Sequence, residues 1–288
     1  MNGFFNINKE KGMTSSAVVG VVKGILRSRG IVTKVGHLGT LDPEGEGVLP
    51  IALGRATRLF DYFLDKTKVY RTIFSFGRTT DTLDATGVTT AVCEKIPTEA
   101  ELLAAIPGLC GEVDQLPPAY SAKVVGGVRA YKLARQGEEP DLKPKRVRIE
   151  QIRLLERLDA RTFRFEVTCG GGTYIRSIAR DLGNAVGSLG IMDAIYRTQS
   201  GCFRIENACR LDDLRRSEDL AAQIIPIEAA LTDFPVLTVS PKEEVFVRNG
   251  VAIASKFSDG LYLLKMDGAV FGIAEVSGGR LTVRTRLI

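Results

Sequence analysis

The order in which strand-like and helix-like segments follow one another is the feature that most limits the fold. Residues 146–158 and 161–169 have the composition of two strands joined at Asp159 and Ala160. A glycine run then leads into a helix-like segment over 173–187 that ends in glycine. Further predicted elements are a helix over 16–28 after the hydroxyl cap Thr14-Ser15-Ser16, a strand over 69–77, a helix capped by Thr98 and a short helix near 130–137. Strands and helices do not alternate in a strict βαβ pattern, so the fold class is α+β.

The segment after Pro235 has a different sequence pattern from the rest of the chain. Short alternating stretches are separated there by Asp267-Gly268 and Gly278-Gly279, and both pairs are strong hairpin signals. We therefore expect a small all-β domain over 234–288 and a larger α+β domain over 1–233. Within the larger domain, the stretch 116–146 is rich in proline, glycine and basic residues and is expected to form a long excursion.

Composition and cysteine usage indicate an ordinary globular protein. Hydrophobic residues make up 44% and charged residues 25% of the chain. No apolar run approaches the roughly 18 residues that a membrane span needs, and the N-terminus lacks the pattern of a signal peptide. The cytoplasm is the expected location. The five cysteines are odd in number and show no CxxC spacing, which favours free, buried thiols over a disulfide framework or a structural zinc site.

Positive charge is clustered along the chain, although the net charge of +5 is small. The segment from Lys11 through Leu41 contains no acid, and a second basic run, KPKRVR, occupies 143–148. The C-terminal segment adds three arginines at positions 280, 284 and 286. Clustered cations suit a polyanion such as nucleic acid, and solvated basic faces are the alternative.

One loop, VGHLGTLDPEGEGVLP at 35–50, holds the only histidine, His37, and three alternating acids, Asp42, Glu44 and Glu46. A metal site is disfavoured. An EF-hand loop starting at Asp42 would need Glu at its twelfth position, where this chain has Leu53, and a single histidine offers no paired ligands. No nucleotide phosphate loop is present either. A catalytic carboxylate and a plain surface turn both stay open, because Asp before Pro is common in turns.

A carboxylate has one advantage as a catalytic group. Aspartate is ordinarily ionised at neutral pH, so it needs positioning and a neighbouring cation rather than an activating base. Arg176, just inside the helix start of GGGTYIR, is one candidate cation among many. The glycines before that helix are only a weak signal for anion binding.

Five segments, taken in chain order, resemble the signature of the TruB family of bacterial tRNA pseudouridine synthases. VGHLGTLDPEGEGVLPIALGRATR is similar to the family's GHxGxLDPxAxGxLPxxxGxATK, which is long and specific. The others are NINKEKGMTS (6–15), KVYRTIFSFGRTTDTLDATG (68–87), QLPPAYSAKVVGGVRAYKLARQGE (115–138) and CGGGTYIRSIARDLG (169–183). The segment 234–288 is similar to a PUA domain, an RNA-binding β-barrel.

The resemblance implies a catalytic domain with a mixed, mainly antiparallel sheet and flanking helices. It implies isomerisation of uridine 55 in the T loop of tRNA to pseudouridine, with the base flipped out of its stack and with no cofactor and no metal. By the resemblance, Asp42 is the catalytic aspartate, Tyr70 stacks on the target base, and Arg176 pairs with the aspartate through its two-pronged guanidinium.

Four further residues are assigned to substrate binding by the same resemblance: His37, Gly39, Tyr174 and Ile195. The family's insertion, here about 116–146, closes over the RNA. tRNA is then the expected partner and a monomer the expected state.

Several positions depart from the family pattern. Glu10 stands in place of proline, and the family's Leu-Arg-Arg run aligns with Ile195, Tyr196 and Arg197, so isoleucine replaces leucine and Tyr196 replaces arginine. Thr40 and Glu44 also differ from common family choices. An RNA-binding protein that has lost the chemistry is therefore kept as an alternative. A related synthase directed by a guide RNA is a second alternative, against which the 116–146 insertion argues.

Overall fold

The computed structural model describes residues 1–288. Its strands are β1 Gly3–Lys9, β2 Val35–His37, β3 Glu46–Leu53, β4 Lys68–Phe76, β5 Arg78–Thr80, β6 Thr89–Val92, β7 Gly111–Gln115, β8 Val124–Val125, β9 Val128–Arg129, β10 Lys145–Arg157, β11 Thr162–Cys169, β12 Gly190–Ser200, β13 Phe203–Arg204, β14 Val236–Thr238, β15 Ile253–Ala254, β16 Gly260–Met266, β17 Ala269–Ser277 and β18 Arg280–Arg286. Its α-helices are α1 Ser15–Ser28, α2 Phe60–Leu64, α3 Glu99–Ala105, α4 Ala130–Arg135, α5 Ile175–Ala185, α6 Leu211–Arg216, α7 Ile227–Ala230 and α8 Pro241–Arg248. None of these helices is both long enough and apolar enough to cross a bilayer.

The central feature is a nine-stranded sheet with the main order β1-β3-β12-β4-β11-β10-β7. Every neighbouring pair on this path is antiparallel except β3 and β12, which are parallel. The predicted α+β class with a mixed, mainly antiparallel sheet is confirmed. The predicted strand pair over 146–158 and 161–169 is present as β10 and β11, which are hydrogen-bonded to each other.

The predicted helices form for the local reasons that the sequence indicates. Thr14 caps α1 by accepting a hydrogen bond from the backbone N–H of Ala17. Thr98 and Glu101 form a reciprocal capping box at the start of α3. Gly187, in the left-handed region at φ +69°, follows the end of α5.

Two apolar cores hold α5 and α1 against the sheet. In the first, Ile178 and Leu182 of α5 pack in one cluster with Phe74 and Phe165, whose ring centroids are 4.9 Å apart. In the second, Val22 of α1 packs with buried side chains of β1, β2 and β3. Burial of each such side chain stabilises the fold by about 1.5–3 kcal/mol, so both helices are anchored firmly.

The stretch 116–146 leaves the sheet after β7 and returns at β10, as expected of an excursion. It carries the two-residue strands β8 and β9, which pair with each other, and the short helix α4. Its first residues are tied to α5, because the Ser177 hydroxyl donates to the Leu116 carbonyl at 2.8 Å. The Arg180 guanidinium donates to the same carbonyl at 2.9 Å.

The C-terminal segment forms a five-stranded sheet of order β14-β16-β17-β18-β15. Both predicted hairpin turns are present, with positive φ at Asp267, Gly268, Gly278 and Gly279. The expectation of an all-β unit is wrong in one respect, because α8 lies within 234–288. A Ser240 capping box and a proline in its first turn favour that helix.

The C-terminal sheet shares an apolar core with the larger sheet. Leu263, Ile273 and Leu287 lie in one buried cluster with Phe4 and Phe63. The two parts of the chain are therefore packed together rather than joined only by a linker.

The cysteines depart partly from expectation. All five are free, but only Cys169 is fully buried, and Cys202 is exposed.

We predict that Gly190→Ala destabilises the protein by about 1–3 kcal/mol. A Cβ atom at this position would lie 2.2 Å from the carbonyl oxygen of Ala179, which is backbone and cannot move aside. The contact would push α5 away from β12. The measurement is the urea midpoint of unfolding, with Gly108→Ala as the matched control because a Cβ there meets no atom within 4 Å. Equal midpoints for the two variants would contradict this account of α5 packing.

Candidate active site

Asp42 lies in the loop between β2 and β3, and buried side chains bond the backbone of the residues on either side of it, Leu41 and Pro43. The backbone N–H of Leu41 donates to the Ser15 hydroxyl at 2.9 Å, and that hydroxyl donates to the Leu41 carbonyl at 2.9 Å. The Pro43 carbonyl accepts from the Lys9 ammonium at 3.0 Å. Ser15, Leu41 and Lys9 are buried, whereas the Asp42 side chain is 38% exposed. The loop therefore fixes the backbone and presents the carboxylate.

Arg176, in the first turn of α5, contacts Asp42 and three other groups. Its Nε lies 3.0 Å from Asp42 Oδ2. Its Nη1 donates to the Thr82 carbonyl at 3.0 Å and lies 3.9 Å from Asp84 Oδ2, and its Nη2 donates to the Tyr120 carbonyl at 3.1 Å. The predicted pairing of Arg176 with Asp42 is present, but the expected two-pronged contact is not. The other two nitrogens of the guanidinium instead contact the Thr82–Asp84 turn, through Nη1, and Tyr120 at the start of the excursion, through Nη2.

The N-terminus of α5 is fixed by a buried glutamine. The backbone N–H of Tyr174 donates to Gln115 Oε1 at 2.8 Å, and Gln115 Nε2 donates to the Tyr174 carbonyl at 3.2 Å. Before the helix, Gly171 approaches the carbonyl of Leu64 so closely that a Cβ would lie 1.8 Å from its oxygen. Tyr174 thus contributes its backbone to the architecture around Arg176.

Tyr70 and Ile195 lie in the same apolar cluster as Leu41, which adjoins Asp42. Tyr70 is buried on β4, and burial raises the pKa of its phenol. The negative charge of Asp42 acts in the same direction on that pKa, while the charge of Arg197 opposes it. The structure therefore brings Asp42, Arg176, Tyr70 and Ile195 into one neighbourhood.

His37 is the last residue of β2, and Gly39 follows it in the loop before Asp42. His37 is half-buried, its Nδ1 is buried without a hydrogen-bond partner, and it borders a groove with Lys23 and Phe60. Burial lowers the pKa of His37, and the charge of Arg197 lowers it further. Gly39 has φ +118°, a conformation that side chains rarely adopt. No hydrogen bond joins either residue to Asp42.

Two charged residues near the site carried no assigned role in the sequence. Asp84 accepts hydrogen bonds from Thr82 and Thr86 through Oδ1, at 2.8 and 2.6 Å, and turns Oδ2 toward Arg176. The TDTLDATG segment is a signal that could have drawn attention to it. Arg197 is fully buried. Its alignment with the last residue of the family's Leu-Arg-Arg run is the signal that could have drawn attention to it.

Comparison with solved structures shows which fold this is. The crystal structure of a Cbf5-Nop10-Gar1 complex matches with a TM-score of 0.75 at 24% identity, over 99% of this chain and 85% of that chain. The structure of an H/ACA RNP bound to a substrate RNA containing 2′-deoxyuridine matches with a TM-score of 0.73 at 23% identity, over 99% and 85%. These likenesses concern the fold.

Sequence comparison then identifies the class. The family model described as TruB family pseudouridylate synthase (N terminal domain) matches residues 25–175, which contain Asp42, Tyr70 and Asp84. The chain is accordingly a pseudouridine synthase, an isomerase.

Relatives give the same assignment over more of the chain. A tRNA pseudouridine synthase B of Cereibacter sphaeroides is 42% identical over 87% of this chain and 83% of its own length. Another, of Gluconobacter oxydans, is 36% identical over 98% and 89%. The chain belongs to the TruB family, as its motifs predicted.

We predict that stability rises with pH through the titration of Lys9. Burial lowers the pKa of Lys9 from 10.5 to about 8, and Arg197 adds to this, although Glu46, Glu44 and Asp42 oppose it. Between pH 8 and 10 the unfolded chain therefore keeps a proton that the folded chain has lost, so raising the pH favours folding.

The measurement compares urea unfolding of the wild type and Lys9→Met at pH 8, 9 and 10. The unfolding free energy of the wild type minus that of Lys9→Met should rise by about 1 kcal/mol for each pH unit. A difference that is flat or shifts the other way would show that the folded chain keeps the Lys9 proton.

Proposed function

We propose that this enzyme isomerises the uridine at position 55 in the T loop of tRNA, with Asp42 as its catalytic carboxylate. The supporting observation is a partly exposed carboxylate held 3.0 Å from a guanidinium that is itself only 7% exposed. A buried cation beside an accessible carboxylate keeps the carboxylate oriented while leaving one face for a substrate. Relatives of this chain are tRNA pseudouridine synthases B, which supports tRNA as the substrate.

The reaction is an internal transfer. The bond between ribose carbon 1′ and uracil N1 breaks, and a bond from carbon 1′ to uracil carbon 5 forms. The proton on carbon 5 is lost, and N1 gains one, so atoms and electrons balance without a second substrate. Asp42 supplies the anionic group, Arg176 orients it, and Tyr70 is proposed to contact the target base from the apolar floor it shares with Ile195.

The target base must leave its stack to reach this floor. Extrusion costs a few kcal/mol, which contacts to the flipped base and to the RNA backbone must offset. We assign base contacts to Tyr70, Ile195 and Tyr174, and contacts to the adjoining RNA to His37 and Gly39. The groove beside His37 also presents Lys23 and the ring of Phe60, a cation and an aromatic face of the kind that single-stranded RNA binds.

We further propose a division of labour along the chain. Residues 1–233 form the catalytic unit, and the 116–146 excursion closes over the bound RNA. Residues 234–288 form a PUA-like unit that contacts the same tRNA through exposed cations such as Lys256 and Arg280. We propose that the enzyme works as a monomer in the cytoplasm.

The position of the target is tested by tritium release from carbon 5 of uracil. A T-arm hairpin labelled at every uridine is compared with the same hairpin carrying cytidine at position 55, both with chelator present. We expect release from the first RNA alone, equal to one uridine per hairpin. Release from the second RNA would move the target to another uridine, and binding without any release would favour an RNA-binding protein that has lost the chemistry.

For Arg176→Lys we predict a fall of about 100-fold or more in single-turnover rate with tRNA affinity changed by much less. The planar guanidinium of Arg176 contacts Asp42, Thr82 and Tyr120 through three separate nitrogens. A lysine ammonium has a single nitrogen and cannot reach all three partners. The rate is measured by quenched tritium release at saturating enzyme, and the affinity by filter binding.

The matched control is Arg153→Lys, an arginine on β10 that pairs with Glu166 at 2.8 Å and is half exposed. It should behave as the wild type. Wild-type turnover by Arg176→Lys would mean that the shape of the guanidinium is irrelevant to the reaction.

A further inference from the structure

Arg197 of β12 contacts both sides of the loop that carries Asp42. Its Nε donates to the Val48 carbonyl at 2.7 Å, on the strand after the loop. Its Nη1 and Nη2 donate to the carbonyls of Thr40 and Gly39, at 3.4 and 3.3 Å, just before Asp42. One guanidinium therefore joins the beginning of the loop to the strand that follows it.

The backbone brings Arg197 to this place by a close approach of two strands. Arg197 pairs with Gly47 of β3 on one side and with Tyr70 of β4 on the other. A Cβ atom on Gly47 would lie 2.3 Å from the Arg197 carbonyl oxygen, so only glycine permits this spacing. The guanidinium is thereby placed beneath the loop and next to the strand that carries Tyr70.

Stability alone does not account for a charge at this position. Arg197 is 1% exposed, and it donates to three backbone carbonyls, with no carboxylate as an ion-pair partner. Removing an ion from water without a counter-ion is costly, and well-packed apolar residues often replace buried charges without loss of stability. The charge also contributes, after burial, to the lowered pKa values of Lys9, Lys68 and His37. A buried charge of that cost, bonded to the loop of Asp42, points to a role in the site.

We propose that Arg197 is a positioning residue for pseudouridine formation, which clamps the two sides of the 38–45 loop and so fixes Asp42 relative to Arg176. This rests on the proposed catalytic role of Asp42. The clamp depends on the planar fork, because the three carbonyls lie on both sides of the loop and one ammonium group cannot reach all of them. Ser15 and Lys9 hold the residues that flank Asp42, and Arg197 holds the loop as a whole.

The test combines a rate with a structural readout that does not depend on activity. In Arg197→Lys, amide hydrogens of 38–45 should exchange at least about 10-fold faster, while those of α1 and β10 keep wild-type rates. The single-turnover rate of tritium release should fall about 10–100-fold, with tRNA affinity within about 3-fold of wild type. Arg153→Lys is the matched control and should change neither readout.

Different results separate the proposal from the function on which it rests. Faster exchange confined to 38–45 with an unchanged rate would overturn the positioning role, because the loop would be loosened without effect on the reaction. The proposed function itself is tested separately by the loss of tritium release in Asp42→Asn. A slower rate with unchanged exchange in 38–45 would overturn the clamp itself. Arg197→Gln, which removes the buried charge and keeps one amide donor, replaces the lysine variant if the latter does not fold. If neither variant folds, Arg197 serves the whole fold and the proposal is rejected.

Discussion

The contact between Asp42 and Arg176 is the interaction on which the rest of the site depends. It joins a loop between two strands to the first turn of a helix, and these elements come from distant parts of the chain. Arg176 is nearly buried and has hydrogen-bond partners in three segments, so its position is set by the surrounding backbone rather than by Asp42 alone. The carboxylate is therefore held against a fixed cation while its other face stays accessible.

The conformational entropy lost when the Asp42 loop becomes ordered explains the buried polar side chains that bond to it. A glycine-rich loop has high conformational freedom, and fixing its backbone costs roughly 1–2 kcal/mol per residue. The loop lacks the regular series of backbone-to-backbone hydrogen bonds of a strand. Three buried side chains bond backbone groups of the loop or its flanks instead, namely those of Ser15, Lys9 and Arg197. Beside the departure at Glu10, Lys9 contacts the Pro43 carbonyl.

Much of the fold could be predicted from the sequence, because the signals are local. Caps at Thr14 and Thr98 and the two glycine-containing turns of the C-terminal sheet act within a few residues. What sequence could not provide is the pairing of distant segments. The parallel contact between β3 and β12 and the burial of Arg197 arise only when separate strands meet. The resemblance to a family supplied Asp42 and Arg176 as partners, but the sharing of Arg176 among four groups required the structure. Helix α8 was missed because the strong hairpin signals at 267–268 and 278–279, farther along the segment, led to an all-β interpretation.

The most direct test of the central claim is the single-turnover rate of tritium release by Asp42→Asn on a T-arm hairpin, with tRNA binding measured on the same preparation. Asparagine keeps the size of the side chain and removes its charge. Asp61→Asn, which changes an exposed carboxylate in the first turn of α2, is the matched control. The account predicts RNA binding close to that of the wild type and no release above background for Asp42→Asn, with wild-type release for the control. Release by Asp42→Asn at a rate near that of the wild type would contradict the assignment of Asp42 as the catalytic carboxylate.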